Sequence, residues 1–368
     1  MKIDYTYLSY IVETQMTLLP NSLYRSAQVK ALDKAAVEIQ KIDSFELMQS
    51  AGQAAFSLLQ QQWPDVTAIT VFCGGGNNAG DGYIVAALAA KAGFSVHVLS
   101  LVKPQQLIGD ASSAHTLAQS HGVAISLYAA GNSDIHGVVV DALLGIGING
   151  LVRDNYVNAI DTINASHHPV LAIDIPSGIS GDTGCVLGTA VRATLTVSFI
   201  GLKQGMFTAD ATDHCGDIVY RGLGVSADVF ASQEPSCLRL DFKRPLLPSR
   251  SANSHKGLFG RVVVIGGDRN YGGAGIMAAE SALISGAGLV TLATQPEHVA
   301  AALARRPELM VSGIESPDQL ELLLNSPQVL NSPQVLNKGP VIILGPGVGQ
   351  SVWSKQVVEC GLASGLAA

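Results

Sequence analysis

Three polar side chains interrupt a glycine-rich stretch, CGGGNNAGDGY (residues 73–83), that directly follows the apolar run AITVF. In a dinucleotide-binding fingerprint, glycines let a pyrophosphate approach a helix N-terminus. Here Asn77, Asn78 and Asp81 add side-chain oxygens and a carboxylate, which suit contacts to hydroxyls, amides or cations. The alternative is a merely tight turn, but a turn does not need both NN and GDG. The stretch therefore predicts one wall of a ligand site.

Two further aspartates stand near the ends of apolar runs. Asp141 lies in VVVDALLGIGINGL, followed by a GxGxxG pattern, and AIDIPSG contains Asp174 and Ser177. A carboxylate in such surroundings is costly unless it meets a donor or a cation. With Asn78 and Ser177, the two aspartates have the oxygens to surround a monovalent cation, because hard cations take oxygen ligands. Two alternatives stay open: Asp174 as an acid or base that works on a substrate, and either aspartate as a cap for loop amides.

Two glycine-rich turns occur late in the chain. GGDRNYGGAG (residues 266–275) opens a helical stretch rich in small residues, and LGPGVG (residues 344–349) follows another apolar run. Close backbone packing explains both turns, and so does the binding of an anionic group at a helix start.

The elements that position these residues alternate in type. Helical spacing of apolar residues from 24 to 62 predicts two helices with a break near 41–44. Beyond them, short apolar strands ending in Gly, Asn or Asp alternate with helical stretches, one of which ends at Gly93, a typical C-terminal cap. This pattern predicts a parallel sheet buried on both faces, with ligands beyond the carboxyl ends of its strands.

Composition narrows the class of protein. A length of 368 residues favours two domains, and 48% hydrophobic against 14% charged residues is typical of a well-packed chain. The net charge of −7, with no Lys/Arg block, argues against nucleic acid as a partner. Five scattered cysteines indicate neither a zinc site nor a disulfide framework, and no apolar run is long enough to cross a membrane. We expect a cytoplasmic protein, with residues 1–20 as a loosely ordered leader.

Several segments, in order, closely resemble one enzyme family. LYRSAQVKALDKAA, ELMQSAG, VFCGGGNNAGDGYIVA, VDALLGIGINGLVR, AIDIPSGISGDTG and FIGLKQG are similar to the N-terminal epimerase domain of the bifunctional NAD(P)H-hydrate repair enzymes. SHKGLFGRVVVIGGD, YGGAGIMAAESAL, GAGLVTLAT, ARRPELMV and LGPGVG resemble the start of their C-terminal, ribokinase-like dehydratase domain.

The resemblance implies an activity and a set of site residues. The epimerase domain interconverts the R and S forms of hydrated NADH or NADPH (NADHX and NADPHX), and the dehydratase domain restores the S form to NAD(P)H with ADP. A potassium ion is implied at Asn78, Asp141 and Ser177, with Asp174 as the acid/base. The residues implied in substrate binding are Asn77, Asn78, Ala79, Gly80, Asp81, Gly145, Ile146, Gly147, Ile148, Asn149, Gly150, Leu151, Asp174, Ala274 and Gly349.

The resemblance also implies an architecture, which we expect to be α/β throughout. A Rossmann-like parallel sheet with helices on both faces is followed by an incomplete ribokinase-like α/β domain. We expect a leader at 1–20, the epimerase domain at 21–230, a linker at 231–250 and a truncated dehydratase domain at 251–368, assembled as a homo-oligomer. The family's TPHPGE-like, KG-rich and GxGD-like motifs do not follow LGPGVG here. The expectation is therefore that dehydration is lost by truncation, and the tandem hexad NSPQVL (325–330 and 331–336) is interpreted as a duplication in a loop.

Two other functions stay open at this stage. One is a non-catalytic nucleotide-binding or scaffold module. Loss of the Asn and Asp residues would have favoured this function, but these residues are present. The other is an ordinary nicotinamide-dependent dehydrogenase, although the first glycine loop lacks GxGxxG spacing and no catalytic His/Arg set stands out.

Overall fold

A computed structural model describes residues 19–131, 134–148, 150–240, 247, 249–330 and 340–366 of the protein. The chain divides into two compact units, residues 1–244 and 245–368. Most of the predicted leader, residues 1–18, lies outside the described residues.

The first unit contains ten strands and six α-helices among its described residues. The strands are β1 (Ser22–Tyr24), β2 (Ala68–Cys73), β3 (Ser95–Ser100), β4 (Ala124–Leu127), β5 (Val138–Ala142), β6 (Val170–Ile173), β7 (Leu195–Phe199), β8 (Leu202–Lys203), β9 (Asp217–Arg221) and β10 (Cys237–Leu238). The helices are α1 (Ser26–Gln40), α2 (Ser44–Gln62), α3 (Asn77–Lys91), α4 (Gly109–Ser120), α5 (Asn155–Ala165) and α6 (Ala227–Ala231).

Seven of these strands form one sheet in the order β4-β3-β2-β5-β6-β7-β9, and every neighbouring pair is parallel. Successive residues of each central strand face opposite sides. Val71 belongs to the core shared with α2, α3 and α4, whereas Phe72 belongs to the core shared with α5. The prediction of a parallel sheet with helices on both faces is confirmed. The strand order reverses between β2 and β5, which makes the carboxyl ends of these two strands a topological switch point.

The predicted break between the first two helices is confirmed. Lys41 adopts a left-handed backbone conformation (φ 56°) directly after α1. Asp43 then caps α2, because its carboxylate accepts a hydrogen bond from the Phe45 N–H at 2.8 Å. At the end of α3, Gly93 has a φ of +88°, as its predicted role in a C-terminal cap requires.

The stretch after β2 is less loop-like than the sequence indicates. Helix α3 begins at Asn77, so Asn78 and Asp81 stand in its first turns. Glycines allow this early start, because the helix packs tightly against its neighbours. A Cβ on Gly80 would lie 2.5 Å from the end of the Met48 side chain, and one on Gly82 would lie 2.5 Å from the Cβ of Ala142.

Part of the predicted linker belongs to the first unit. Strand β10 pairs antiparallel with β1, which pairs parallel with β8 on its other side. The N–H of Arg239 donates to the carbonyl of Asn21 at 2.7 Å, so this segment satisfies the backbone groups at the edge of β1. Residues 237–239, within the predicted linker, thus pair with the first unit; residues 241–246 and 248 lie outside the described residues.

The second unit has a four-stranded parallel sheet in the order β13-β12-β11-β14. Its strands are β11 (Arg261–Ile265), β12 (Leu289–Thr294), β13 (Met310–Gly313) and β14 (Val341–Leu344). Its helices are α7 (Gly272–Ile284), α8 (Val299–Arg305), α9 (Pro317–Leu324), α10 (Pro327–Leu330) and α11 (Val352–Ala363). The unit has its own hydrophobic core on each face of the sheet, with Val263 and Trp353 on one side and Val264 and Ile276 on the other.

The first NSPQVL hexad is not a loop. Its residues Pro327–Leu330 form the short helix α10, and Val329 is buried in the core of the second unit. The second hexad lies outside the described residues. No helix in the described part of the chain combines the length and apolar character needed to cross a membrane.

Candidate functional site

A cleft of about 650 Å³ opens at the carboxyl ends of the parallel strands of the first unit. Its walls come from α1, α2, the start of α3 and the loops after β5, β6, β7 and β9. This is the switch point between β2 and β5, where ligands of open parallel sheets bind. The lining combines charged groups with apolar side chains, among them Met48, Ile146, Phe199, Ile200 and Leu223.

The ion pair between Asp174 and Lys203 is the central polar feature of this cleft. Lys203 is completely buried, whereas the Asp174 side chain is 16% exposed and lines the cleft. The Lys203 ammonium also donates to the Ser198 hydroxyl at 3.1 Å, and the Phe199 N–H donates to the Asp174 carboxylate at 3.3 Å. A buried ammonium with a carboxylate partner keeps Asp174 in one orientation, facing the cleft.

Three non-glycine residues of the cleft have left-handed backbone conformations. Asp174 (φ 68°), Ile200 (φ 54°) and Leu223 (φ 50°) follow the neighbouring strands β6, β7 and β9. Such a conformation costs on the order of 1 kcal/mol or more per residue, and most for a β-branched residue such as isoleucine. Strain that recurs at three adjacent strand ends indicates that the shape of this wall is functional.

Besides Asp174, two carboxyl groups that line the cleft have raised pKa values. Burial raises the pKa of Asp33 to about 6, with a further rise from the charge of Asp174 and an opposing effect of Lys203. Burial, followed by the charges of Asp174 and Asp33, raises the pKa of Asp81 well above its usual value, again opposed by Lys203. Groups with perturbed pKa values in a cleft are typical of sites that transfer protons.

The NNAGD segment divides between the cleft and the protein interior. Asn77, Asn78 and Asp81 line the cleft. Ala79 and Gly80 do not, because the helical turn points them into the core, where both are buried. Of the predicted substrate-binding residues in this segment, three are therefore in position to contact a ligand directly.

The GIGINGL segment also reaches the cleft only in part. Gly145, Ile146, Gly147 and Ile148 line it, and Lys30 of α1 lies over them, 4.0 Å from the position of a Cβ on Gly147. Asn149 lies outside the described residues. Gly150 and Leu151 are exposed beyond the cleft lining, since the chain turns away at Gly150 with a φ of +85°.

Asp141 and Ser177, two of the predicted cation ligands, lie completely buried beneath the cleft. The Asp141 carboxylate accepts hydrogen bonds from the Ser177 hydroxyl at 2.6 Å, the Ser177 N–H at 2.8 Å and the Leu143 N–H at 3.2 Å. Burial raises the pKa of Asp141 to about 6, although these hydrogen bonds act against the rise. Asp141 therefore caps the loop amides, as one alternative from the sequence proposed.

Asn78 is the buried polar side chain of the site that lacks a partner. Among the described residues, no hydrogen bond reaches either its Oδ1 or its Nδ2. The loop after β5 brings it towards the other two predicted ligands. The Leu143 N–H bonds Asp141, the Leu144 N–H bonds the Ser177 hydroxyl at 2.8 Å, and a Cβ on Gly145 would lie 3.3 Å from the Asn78 Cβ. A buried amide without a partner is costly, so a bound group that contacts it would stabilise the site.

The chemistry of this set suits a cation of low charge. Asn78 and Ser177 are neutral oxygen donors, and Asp141 is the one carboxylate. In the described parts of the chain, no cluster of three or more His, Cys, Asp and Glu side chains is arranged to hold a metal ion. The buried oxygens fit a monovalent cation better than a divalent one.

The second unit gathers its predicted residues at the carboxyl ends of its own strands. Gly349 (φ +71°) lies beside Asp268, whose carboxylate is 3.4 Å from the position of a Cβ on Gly349. Ala274 stands in the first turn of α7, facing Gly347. Asp268 is mostly buried, and although burial opposes ionisation, hydrogen bonds that include those from Ser354 and Gln295 lower its pKa.

Sequence reasoning missed Asp33, which lines the first cleft, and Lys203, which lies buried behind Asp174. Each lies inside a motif that carries the family resemblance, LYRSAQVKALDKAA and FIGLKQG, but no role was predicted for it. For Lys203 a signal existed, because a lysine that closes an otherwise apolar strand must find a buried partner. For Asp33 the signal was weak, since an aspartate between two helical turns is usually solvated.

Comparison with known proteins matches both parts of the chain. Residues 44–205 match the family model described as YjeF-related protein N-terminus, and residues 262–365 match NAD(P)H-hydrate dehydratase. The chain is 41% identical to the bifunctional NAD(P)H-hydrate repair enzyme Nnr of Coxiella burnetii, over 91% of this chain and 67% of that protein. The enzymes of the same name from Vibrio cholerae and Escherichia coli K12 are 38% and 34% identical, over 79% and 93% of this chain and 60% and 64% of theirs.

The chain thus spans about 60 to 67% of the length of these three relatives. Among solved structures, a ribokinase-like superfamily protein from Enterococcus faecalis is 40% identical over 32% of this chain and 37% of its own, with a TM-score of 0.26. Because the dehydratase model matches residues 262–365, a unit of that family is present. The expectation that dehydration is lost by truncation is not borne out.

Proposed function

The chain belongs to the family of bifunctional NAD(P)H-hydrate repair enzymes, and from this premise we propose that its first unit interconverts the R and S epimers of NADHX and NADPHX. The observation that carries the proposal is the Asp174 carboxylate, ion-paired to buried Lys203 and facing a cleft lined by apolar, amide and charged side chains. A hydroxylated nicotinamide ring has one apolar body and a few polar groups, which matches this lining.

Epimerisation requires the hydroxyl-bearing ring carbon to lose oxygen on one face and regain it on the other. The ring nitrogen supplies its electron pair as the carbon–oxygen bond breaks, which leaves a planar cationic ring. Asp174 donates the proton that the departing hydroxide needs after it has taken up a proton from solvent, and its carboxylate accepts one from water in the reverse step. The negative charges of the cleft stabilise the cationic ring that forms between these steps.

Lys203 has a positioning role in this scheme. Its ammonium lies behind Asp174, away from solvent, and contacts the Ser198 hydroxyl. It offsets the charge of a largely buried carboxylate, and it holds that carboxylate towards the substrate.

We further propose a potassium ion at Asn78, Asp141 and Ser177. The support is the Asn78 amide, which has no hydrogen-bond partner among the described residues, and the buried hydrogen bond between Asp141 and Ser177. All three side chains lie against successive residues of the loop after β5. When bound, the ion supplies positive charge that orders this loop and offsets the phosphates of the substrate. Asn77 and the N-terminus of α3 are in position to contact a phosphate directly.

The test uses purified full-length chain and one isolated epimer of NADHX, with the two epimers followed by chromatography against the enzyme-free rate. We expect the protein to accelerate the conversion and Asp174→Asn to reduce it by about 100-fold or more. If the unaltered protein does not exceed the enzyme-free rate, the proposed activity is wrong.

For the second unit, the family match supports dehydration of the S epimer with ADP as the second candidate activity. Ala274, Gly349 and Asp268 meet at the strand ends where a ligand of a parallel sheet binds. The test adds ADP to the hydrate and measures the absorbance of regenerated NADH.

We infer a cytoplasmic location from the five free cysteines. The homo-oligomer that we expect stays a prediction, which gel filtration with light scattering checks.

A further inference from the structure

Acid–base chemistry is needed on both faces of the substrate ring, a requirement that rests on the proposed epimerase function. The oxygen leaves from one face of the planar ring, and water adds to the other. The group that protonates the departing hydroxide and the group that deprotonates the incoming water must therefore stand on opposite sides of the ring. A carboxylate that cannot move from one side to the other serves one face only.

Asp174 is such a fixed group. Its backbone N–H donates to the Val197 carbonyl at 2.7 Å, and its carboxylate accepts from the Phe199 N–H and from Lys203. Its left-handed backbone, with a φ of 68°, further limits the directions that the side chain can take. The cleft therefore needs another proton-handling group.

We propose that Asp33 is the second acid–base residue of the cleft, acting on the ring face opposite Asp174. Asp33 stands on α1, whereas Asp174 stands at the carboxyl end of β6, so the two carboxyl groups come from different walls of the same cleft. Val29 and Leu32 pack α1 against Gly201 in the turn between β7 and β8, 3.1 and 3.2 Å from the position of a Cβ there. This packing fixes Asp33, one residue beyond Leu32, above the strand ends.

The surroundings of Asp33 suit a group that both gives and takes a proton. The charged groups that line the cleft with Asp33 are Lys30 and Lys34 of α1, Asp81 of α3, Asp110 of α4 and Asp174 after β6, and the charge of buried Lys203 also acts on it. Burial raises the pKa of Asp33 to about 6, so both of its forms are populated near neutral pH. Burial also raises the pKa of Asp81 well above its usual value, but Asp81 lies on the wall that carries Asn77 and Asn78, not on α1.

The step balances with water as the co-reactant. In one direction the Asp33 carboxyl donates its proton as the carbon–oxygen bond breaks, and the electron pair of that bond leaves with the oxygen as water. The ring nitrogen forms a double bond to the carbon. A water molecule then adds to the opposite face, and its proton passes to the Asp174 carboxylate. In the other direction the two residues exchange roles, and solvent restores their protons between turnovers.

The experiment separates inversion from exchange by using water labelled with oxygen-18. Full-length protein is incubated with each isolated epimer of NADHX, and both the epimer ratio and the label in the hydroxyl group are measured. With Asp33→Asn we expect inversion to fall by about 100-fold, while the epimer whose hydroxyl faces Asp174 still exchanges its oxygen. Asp174→Asn should show the mirror result, with exchange of the other epimer alone.

Several outcomes overturn the proposal. If Asp33→Asn still inverts the substrate, Asp33 has no acid–base role. The proposal also fails if the correctly folded variant loses inversion and oxygen exchange equally, since a structural defect affects both reactions. If Asp81→Asn loses inversion but keeps oxygen exchange, and Asp33→Asn does not, the second acid–base residue is Asp81 and not Asp33. Glu38→Gln, an exposed position on the same helix, is the matched control and should retain both reactions. If the unaltered protein neither inverts nor exchanges, the proposed function itself has failed, which is a distinct result.

Discussion

Lys203 is buried without exposed surface and forms its ion pair with Asp174, which reaches the cleft. The two residues lie on the segments that follow the neighbouring strands β6 and β7. The ion pair therefore connects the ends of these two strands, which form the floor of the cleft. A buried ammonium is costly unless it is paired, so each member of the pair depends on the other. This dependence gives the first prediction.

Removing one partner of the pair should destabilise the first unit more than removing both. We expect Asp174→Asn and Lys203→Met each to lower the free energy of unfolding by about 3 kcal/mol, because each leaves an uncompensated charge. The double variant should recover part of that loss, but it should not epimerise NADHX. Denaturant unfolding of the full chain, combined with hydrogen exchange of the β6 and β7 amides, measures the coupling.

Lys91→Met is the matched control for this cycle, because Lys91 is exposed at the end of α3, outside the cleft lining. It should change stability by less than about 0.5 kcal/mol. Strictly additive effects of the two cleft substitutions would contradict the coupling.

The buried amide of Asn78 should make the protein responsive to potassium. We expect potassium chloride to raise the melting temperature of the first unit relative to choline chloride at equal ionic strength, because the ion binds the folded state alone. In Asn78→Ala this difference should vanish, since the buried oxygen without a protein partner is removed. Differential scanning calorimetry provides the readout, and Asn158→Ala, an exposed position on α5, should respond as the unaltered protein does. An equal potassium response in both variants would exclude Asn78 as a ligand.

Stability should fall as the pH rises through about 6. Folding raises the pKa of Asp33 from 3.8 to about 6, so its contribution is fully present below pH 4 and is lost as the carboxyl ionises in the folded state. A rise of about two pKa units corresponds to at most about 3 kcal/mol. Asp81 and Asp141 act in the same direction, so the measurement is the difference between the unaltered protein and Asp33→Asn. Unfolding at pH 4, 5, 6 and 7 should show a weaker pH dependence in the variant; identical curves would contradict the raised pKa.

Local patterns were enough to predict much of the fold. The break between α1 and α2, the cap at Gly93 and the parallel sheet all follow from short-range signals, namely helical spacing, glycine in a left-handed conformation and uninterrupted apolar strands. The start of α3 was harder to predict. Its glycines indicate a loop by propensity, but they are used for close packing against Met48 and Ala142, and that contact depends on tertiary structure.

The candidate site shows the same division. Asp141 and Asp174 were identified because a carboxylate at the end of an apolar strand is unusual in any sequence. The pairing of Asp174 with Lys203 joins residues 29 positions apart, and the approach of Asp33 needs the whole of α1 to lie over the strand ends. No pattern within a single element predicts contacts of this kind. Ala79 and Gly80 were assigned to the ligand by their place in a motif, although the helical period turns them inward.

The last prediction concerns the first and third glycines of the run after β2. A Cβ on Gly74 would lie 2.0 Å from the Leu143 carbonyl oxygen, which is backbone and cannot rotate away, whereas a Cβ on Gly76 would have no atom within 4 Å. The Gly74 N–H also bonds the Ala142 carbonyl at 3.1 Å, so the loops after β2 and β5 touch at this point. We expect Gly74→Ala to force them apart and lower the free energy of unfolding by about 3 kcal/mol, while Gly76→Ala changes it by less than about 1 kcal/mol. Denaturant unfolding of the two variants, side by side, measures the difference. If Gly74→Ala and Gly76→Ala are equally stable, the loops after β2 and β5 do not pack as closely as the contact of Gly74 with Leu143 requires.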